Sequence, residues 1–263
     1  MRRKFKKWNN KEGELMINQL YCMDNLELLE KLPDESIDLI YCDILYNTGK
    51  KFEDYDDRLG TSQEAIQWYE PRLKEMRRVL KSTGSIYLHC DYRLVHYLKV
   101  KMDELFDEDQ FRNDIIWCYG AGGRNKRVFS RKHDNILFYS KTDDYAFNLL
   151  IDESTGQVCK DYWHIKNIAA KSGFLRPKGD NETILYSTQK PKELLKRVIE
   201  ASSKEGDVVA DFFCGSGTTI VVAKELGRQY IGCDINPKAI EITKQRLEET
   251  LIHGTNEDNE EGK

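Results

Sequence analysis

Two short loops of the sequence combine residue types that can hold a ligand and act on it. The first, residues 211–218 (DFFCGSGT), places two glycines between an apolar strand pattern and a helix pattern. Glycines let the backbone approach a ligand closely, and the N–H groups at a helix start bind polar or anionic groups. Asp234 ends the next apolar stretch, nineteen residues after Gly215, where a carboxylate can bind the two hydroxyls of a ribose. Ile220 stands where a dinucleotide fingerprint has its third glycine, so the pattern favours a single adenosine over NAD.

The second loop, residues 43–49 (DILYNTG), follows the apolar strand pattern at 37–42. Ligands of open α/β sheets bind beyond the carboxyl ends of the strands, so this loop is well placed for reaction chemistry. A carboxylate beside an aromatic ring can accept a hydrogen bond from an amine while the ring stacks on a flat substrate. Taken alone, the same pattern also fits a strand end followed by an ordinary turn.

Hydrophobic periodicity along the sequence predicts the sheet that positions these loops. Apolar strand patterns alternate with helix patterns, which is typical of an α/β fold with a mostly parallel sheet and helices on both faces. We expect strands at 37–42, 85–90, 115–117, 136–139, 207–213 and 229–234. We expect helices at 24–32, 62–81, 92–106, 191–203, 218–226 and 237–251, with Pro71 as a candidate kink in the second.

The charge balance does not exclude a nucleic-acid partner. The net charge is −4, from 41 basic and 45 acidic residues. Residues 1–11 carry six basic side chains and no acid, and residues 110–135 carry a net charge of +4. The last sixteen residues carry a net charge of −5, so the acidic total is partly an effect of the tail.

Composition excludes several other classes of protein. The apolar runs fall far short of the roughly 20 residues that cross a membrane. The basic start is not followed by an apolar stretch, as a secretory signal would be. The seven cysteines include no C-x-x-C pair and the five histidines no H-E-x-x-H arrangement, so we expect no metal site. We expect reduced thiols, a cytoplasmic location and no membrane.

The two loops together resemble the paired motifs of a known family. Residues 43–46 (DILY) resemble the D-P-P-Y motif of DNA amino-methyltransferases, and residues 211–218 resemble their D-P-F-x-G-S-G-T motif for S-adenosylmethionine. Residues 188–191 (TQKP) match a third segment between the two. The order of these motifs is that of the β class, which methylates N6 of adenine or N4 of cytosine. The resemblance extends over residues 17–250 and also includes the stretches 32–40, 84–91, 115–117 and 132–137.

The resemblance implies a Rossmann-like, mostly parallel sheet of the S-adenosylmethionine methyltransferase type, with a small inserted target-recognition region. It divides the protein into a catalytic half (15–109), the target-recognition insert (110–187), a cofactor-binding half (188–251) and an acidic disordered tail (252–263). It also implies a reaction. The enzyme would move a methyl group from S-adenosylmethionine to the N6 amine of an adenine that has been rotated out of double-stranded DNA.

The resemblance assigns the catalytic roles to the loop after the strand at 37–42. Asp43 and the backbone carbonyl of Ile44 would accept the two amine hydrogens, and Tyr46 would stack on the base. An aspartate rather than a serine at position 43 favours adenine, with N4-cytosine as the alternative. Ile44, Leu45 and Phe212 replace three prolines of the family motifs, which fix φ. A cofactor-binding, DNA-binding relative with weak or no activity is therefore also open.

The resemblance also assigns cofactor contacts, and the basic loop indicates DNA contacts. The cofactor would be bound by Asp24, Asp43, Thr188, Lys190, Asp211, Phe213, Gly215, Ser216, Gly217, Thr218 and Asp234. A solvated lysine at a helix start fits Lys190 equally well. Because the basic loop lies between core strands beside the catalytic half, we expect it to contact phosphates and base edges through Arg124, Asn125, Lys126, Arg127, Arg131 and Lys132. A solvated charged hairpin fits the same run. A homodimer and a cognate restriction endonuclease are both left open.

Several rival functions fit parts of the same sequence pattern. The same fold and a similar loop serve methylation of RNA or of a protein amide, and the altered loop also fits a DNA-binding regulator without activity. A nicotinamide oxidoreductase is the generic alternative for a glycine loop. C5-cytosine chemistry is disfavoured because it uses a cysteine that usually follows proline, and all five prolines precede Asp, Arg or Lys.

Overall fold

A single twisted sheet organises the protein. The computed structural model describes residues 17–52, 55–120, 126–152, 155–168 and 189–257. Within these ranges, eight strands form one sheet in the order β1-β10-β9-β2-β3-β5-β4-β8, and β6 and β7 form a separate hairpin. The strands are β1 (Gln19–Cys22), β2 (Ile37–Asp43), β3 (Leu80–Cys90), β4 (Phe111–Cys118), β5 (His133–Ser140), β6 (Ile151–Asp152), β7 (Gln157–Val158), β8 (Tyr162–His164), β9 (Val208–Asp211) and β10 (Gln229–Asp234).

All neighbours in the sheet pair in parallel except β5, which runs antiparallel to both β3 and β4. This architecture confirms the predicted α/β fold with a mostly parallel sheet. After β2 the polypeptide continues to β3 on one side, whereas after β9 it continues to β10 on the other side. The boundary between β2 and β9 is therefore the switch point of the sheet, where ligands bind beyond the strand ends.

Six helices in the described part of the protein cover the sheet. They are α1 (Asn25–Leu29), α2 (Ser62–Val79), α3 (Val95–Phe106), α4 (Lys192–Ser202), α5 (Thr218–Glu225) and α6 (Pro237–Glu257). The helix α2 continues through Pro71. The helix α6 reaches Glu257, past residue 252, where the sequence predicts the start of a disordered tail. A single glycine such as Gly254 costs a helix about 1 kcal/mol, which does not by itself end it. No helix in the described ranges has the length and apolarity needed to cross a membrane.

The two faces of the sheet carry separate cores. Side chains of α1, α2 and α3 pack with one face, in a cluster that includes Leu28, Leu73 and Met102. The other face packs against α4, whose Leu195 and Val198 are fully buried beside Tyr87. Because both faces are covered, the central strands are apolar on both sides, and polar chemistry is confined to the strand ends.

The strands β4 and β5 fall inside the range expected to be the target-recognition insert. Both belong to the central sheet, because Trp117 of β4 and Phe138 of β5 are buried in its core. Among the described residues of this range, the segments outside the sheet strands are those between β4 and β5, those between β5 and β8, which contain the β6–β7 hairpin, and residues 165–168. The assignment of target recognition to 110–187 stays a prediction.

The start of α2 yields a stability prediction. The Thr61 hydroxyl accepts a hydrogen bond from the Glu64 amide (3.2 Å), and the Glu64 carboxylate accepts one from the Thr61 amide (2.7 Å). Replacing Thr61 by Ala removes the first of these bonds, so Thr61→Ala should lower the free energy of unfolding by about 1 kcal/mol. Thr61→Ser keeps the hydroxyl and should stay close to the parent. Urea unfolding of the three proteins measures the difference, and equal losses for Ala and Ser would contradict the role of the hydroxyl.

Candidate active site

The two chemistry-bearing loops open into one cavity. The reactive loop (residues 43–49) follows β2, and the glycine loop (residues 211–218) follows the neighbouring strand β9. The cavity has a volume of about 420 Å³, within the range of small-molecule sites. The predicted site residues that line it are Asp24, Asp43, Ile44, Tyr46, Lys190, Asp211, Phe213, Gly215, Ser216, Thr218 and Asp234. Thr188 lies outside the described residues.

The carboxylate of Asp43 is held from two sides. The Tyr46 hydroxyl donates to its Oδ1 atom (2.7 Å), and the Lys190 Nζ atom lies 2.5 Å from its Oδ2 atom. Burial and the nearby Asp43 carboxylate raise the pKa of Tyr46 well above its usual value, so the tyrosine keeps the proton that it donates. The structure thus places Lys190 against the reactive carboxylate. Each carboxylate oxygen has a second lone pair, so Asp43 can still accept a substrate hydrogen.

A buried residue that the sequence analysis missed holds the rest of the reactive loop. Asp57, only 1% exposed, accepts hydrogen bonds from the Asn47 amide (3.1 Å), the Thr48 amide (2.8 Å) and the Thr48 hydroxyl (2.5 Å). Asn47 has a φ of +52°, a left-handed conformation that asparagine tolerates. The residues around Asp57 form no recognisable motif, because its partners Asn47 and Thr48 lie ten and nine residues earlier in the sequence.

The positions where the family has prolines are anchored by other means. The Ile44 amide donates to the His89 carbonyl (3.2 Å), and the Ile44 side chain is buried. The Leu45 carbonyl accepts a hydrogen bond from the Tyr69 hydroxyl (2.8 Å). These contacts restrict the loop where proline would have fixed φ.

The glycine loop is organised by the buried carboxylate of Asp211. Its Oδ1 atom accepts from the Phe213 amide (3.0 Å) and its Oδ2 atom from the Thr219 hydroxyl (2.6 Å). Burial, opposed by these hydrogen bonds and reinforced by the charges of Asp43 and Asp234, raises the pKa of Asp211 to about 7. Asp211 therefore acts first as a scaffold for the turn.

The helix α6 holds the same loop from behind. Arg246, which is buried, donates to the Ser216 carbonyl (2.8 Å) and to the Thr218 hydroxyl (3.0 Å). Gly217 has a φ of +73° and caps α5, and a Cβ atom there would overlap the Thr243 side chain. Gly217 is not among the described cavity-lining residues, so its requirement for glycine is one of backbone conformation and close packing. The sequence analysis did not identify Arg246 or Thr243.

Two further acids at the cavity have different partners. Asp234 accepts from the Gly215 amide (2.9 Å) and the Asn236 amide (2.8 Å), and burial raises its pKa. Both of its oxygens keep a lone pair for a ribose hydroxyl. Asp24 caps α1 and pairs with the buried Arg72 guanidinium (2.9 Å). The carboxylate of Asp24 therefore lines the cavity but is already neutralised.

The lining of the cavity fits S-adenosylmethionine. Among the described residues that line it, Lys190 is the one cationic side chain, and the acids are Asp24, Asp43, Asp56, Asp57, Asp211 and Asp234. Such a surface attracts a sulfonium cation and disfavours the pyrophosphate of a dinucleotide. The rings of Trp68 and Phe213, with centroids 6.2 Å apart, line the same cavity and can pack against an adenine.

The basic loop between β4 and β5 lies at the same edge of the sheet as the cavity. The strand β4 runs in the same direction as β2 and β3, because β5 is antiparallel to both of its neighbours. Arg131 stacks on the Tyr92 ring at 3.9 Å, close to the end of β3. Lys126, Arg127 and Arg131 are exposed, and Lys132 is half-buried. Arg124 and Asn125 lie outside the described residues.

The close packing of Gly217 yields a prediction with an internal control. Gly217→Ala places a side chain at positive φ and against Thr243, whereas Gly156→Ala at φ +66° meets nothing within 4 Å. Both variants carry the cost of the left-handed backbone, roughly 1–2 kcal/mol. Gly217→Ala should lower the free energy of unfolding by at least about 1 kcal/mol more than Gly156→Ala, because the added methyl group overpacks the site. Chemical denaturation measures the free energy of unfolding of both variants. Equal losses would contradict the prediction, because they would show that the Thr243 side chain moves aside without a measurable cost.

Comparisons with known proteins agree with this geometry. The sequence model of a family described as DNA methylase, of the N6/N4 type, matches residues 37–245. The type II methyltransferase M.HpaI of Haemophilus parainfluenzae is 33% identical over 89% of this protein and 75% of its own length. The DNA adenine methyltransferase YhdJ of Escherichia coli (strain K12) is also 33% identical, over 86% of this protein and 81% of its own length.

Solved structures share the fold. The cytosine-N4-specific PvuII DNA methyltransferase superposes with a TM-score of 0.66 at 20% identity, covering 87% of this protein and 85% of the other. TTHA0409 of Thermus thermophilus, described as a putative DNA modification methylase and solved with S-adenosyl-L-methionine, gives a TM-score of 0.66 at 21% identity. That match covers 87% of this protein and 92% of the other.

Proposed function

From the premise that the protein belongs to the N6/N4 DNA methylase family, we propose that it methylates the N6 amine of adenine in duplex DNA. Family membership makes it an S-adenosylmethionine-dependent DNA methyltransferase of the β class. The choice of adenine and the roles of individual residues are the proposal. One observation carries it: Asp43 and Tyr46 stand together at the end of β2, in a cavity shared with the glycine loop.

The side chains at the end of β2 can prepare an amine for attack. Asp43 and the carbonyl of Ile44 accept its two hydrogens and orient the nitrogen lone pair, while the Tyr46 ring stacks on the base. S-adenosylmethionine supplies a methyl group bonded to a cationic sulfur. Asp234 would hold its ribose, and the loop of Asp211 would hold the rest of the nucleoside. The protein contributes orientation and electrostatics, and the reaction needs no covalent enzyme intermediate.

Two observations favour adenine over cytosine. Position 43 is an aspartate, the residue that the N6-adenine motif carries. A relative at 33% identity is named a DNA adenine methyltransferase. The replacement of the family prolines at positions 44 and 45 does not weigh against activity, because Asp57, Tyr69 and the His89 carbonyl hold that loop instead.

The partner is DNA, and the β4–β5 loop is our candidate for its contact surface. Arg127, Arg131 and Lys132 would neutralise phosphates at the edge where the cavity opens. Phe129, 99% exposed between these cations, offers a ring to a base or sugar. Two relatives, M.HpaI and M.HinfI, are named type II methyltransferases, and on that ground the proposal includes a cognate restriction endonuclease. A homodimer and a cytoplasmic location are also part of the proposal and rest on the family resemblance alone.

The central test is the carboxylate of Asp43. Asp43→Ala should lower kcat by about 10²–10³-fold, since it removes a group aimed at the reacting amine. Transfer of labelled methyl groups to mixed duplex DNA measures the rate, and calorimetry measures cofactor affinity. Asp109→Asn, at an exposed site on the 3₁₀ turn before β4, is the control and should match the parent.

Product analysis separates the alternatives. Nucleoside mass spectrometry of the methylated DNA should show N6-methyladenine. N4-methylcytosine would overturn the choice of base, and methyl transfer to RNA or peptide but not to DNA would overturn the substrate. Intact cofactor binding with no transfer in the parent protein would establish an inactive relative.

The DNA surface has its own test. Arg131→Ala should weaken binding to duplexes of every sequence and reduce the slope of log affinity against log salt by about one. Lys204→Ala removes an exposed cation just before β9, at the opposite edge of the sheet, and should change neither quantity. Fluorescence anisotropy over a salt series measures both. Equal slopes for the two variants would place the DNA elsewhere.

A further inference from the structure

An exposed apolar pair, Val128 and Phe129, stands in the basic loop between β4 and β5. The Phe129 ring is 99% exposed and the Val128 side chain 52% exposed. The residues that flank this pair in the sequence are basic or small and polar: Lys126, Arg127, Ser130, Arg131 and Lys132. Phenylalanine is usually buried, because removal of its side chain from water is favourable. The ring is therefore available to a partner, and the charges around it indicate which partner.

The ends of this loop are held against the sheet. The Tyr119 amide donates to the Lys132 carbonyl (2.9 Å), which extends the pairing of β4 with β5. The Tyr119 hydroxyl donates to the Asp134 carboxylate (2.9 Å). The Arg131 guanidinium stacks on the Tyr92 ring at 3.9 Å, just past the end of β3. The apolar pair is therefore carried by a loop whose position relative to the sheet is fixed.

The apolar pair lies within reach of a duplex bound at the cavity. Asp43 of β2 pairs with His89 of β3, which pairs with Ile136 of β5. Two strand spacings, about 10 Å, therefore separate Asp43 from Ile136. Phe129 comes seven residues before Ile136, a span of at most about 25 Å. One helical turn of a duplex is roughly 34 Å long, so a single duplex can contact both places.

The charge of the loop favours duplex DNA as the partner of the ring. Residues 126–132 carry four basic side chains and no acid. A second copy of this loop would carry the same positive charge and would be repelled. A duplex has phosphates outside, which the cations neutralise, and stacked apolar bases inside. An apolar side chain between cations matches this arrangement, as in proteins that insert phenylalanine or leucine between base steps.

We propose that Phe129 is a wedge that enters the duplex beside the rotated base and stacks in the space that this base leaves. The inference rests on the proposed function, because only a base that leaves the stack creates such a space. Rotation breaks the pairing and stacking of one base, and the enzyme must offset that cost. A ring that stacks on the neighbouring bases restores part of the lost stacking. Phe129 acts by favouring the rotated state and does not touch the reacting amine.

The test compares two duplexes that differ in how easily the target base leaves the stack. Sequencing of DNA methylated by the parent protein gives the target, which is then placed either in a base pair or opposite an abasic site. Phe129→Ala should lower the single-turnover rate of methylation of the paired duplex about 10-fold or more. The rate on the abasic duplex should fall less than about three-fold, because its target base is already unpaired. Phe129→Trp keeps a stacking ring and should stay within about three-fold of the parent on both duplexes.

A matched control and two opposite outcomes decide the comparison. Val100→Ala shortens an apolar side chain of α3 that is 60% exposed, and it should change neither rate. Thermal melting of Phe129→Ala should match the parent, because the ring is exposed. Equal losses on the two duplexes would make Phe129 a general DNA contact, and an unchanged rate on the paired duplex would place the ring outside the stack. Either result would overturn the proposal.

A photocrosslinking measurement locates the ring directly. The full-length protein, with p-benzoylphenylalanine in place of Phe129, is irradiated on the paired duplex and the crosslinked nucleotides are mapped. We expect crosslinks to the nucleotides next to the target base or to its former partner. Crosslinks only to distant nucleotides or to a second copy of the protein would contradict the wedge. If the parent protein methylates no DNA, the proposed function is refuted, and crosslinking to mixed duplex DNA tests the contact of the ring with DNA separately.

Discussion

The contact on which the site depends is the parallel pairing of β2 with β9. These strands are distant in the sequence, yet Ile40 pairs with Ala210 in the middle of the sheet. The Asp38 carboxylate of β2 adds to this pairing, because it accepts a hydrogen bond from the Val208 amide of β9 (2.9 Å) and forms an ion pair with Lys81 (2.8 Å). Since both strands run in the same direction, this one pairing brings the reactive loop and the glycine loop to a common edge. The cavity, the acids that line it and the rings of Trp68 and Phe213 all depend on this pairing.

Carboxylates bound by backbone amides and hydroxyls give the site its shape. Asp57 fixes the reactive loop, Asp211 fixes the glycine loop, and Asp234 joins the glycine loop to β10. A buried carboxylate without partners would be strongly unfavourable, so each loop is specified by the hydrogen bonds that its acid requires. This gives a physical reason why the loop at Ile44 and Leu45 can be ordered without proline. The constraint on φ is replaced by contacts from outside the loop.

The sequence predicts the parts of the site that depend on local order. Asp43 and Asp234 stand at the ends of apolar strand patterns, Asp211 begins the glycine loop, and all three reach the cavity. Asp57 and Arg246 were missed because their contacts depend on how the intervening residues fold back, which periodicity does not encode. The order of the strands was missed for a related reason: β5 inserts antiparallel between β3 and β4, and the pattern of a strand does not indicate which strands will pair with it.

The first strand of the sheet, β1, pairs with the last, β10. During synthesis β1 and β2 therefore lack a pairing partner until β10 and β9 have been made. The reactive loop can be made and β2 can pair with β3, but one edge of β2 stays without its partner until residues 208–211 of β9 have been made. An unpaired central edge invites association with other molecules, so a nascent or truncated molecule is the form most exposed to aggregation. The same arrangement makes activity depend on the synthesis of β9 and β10, because no shorter part of the protein can assemble both halves of the site.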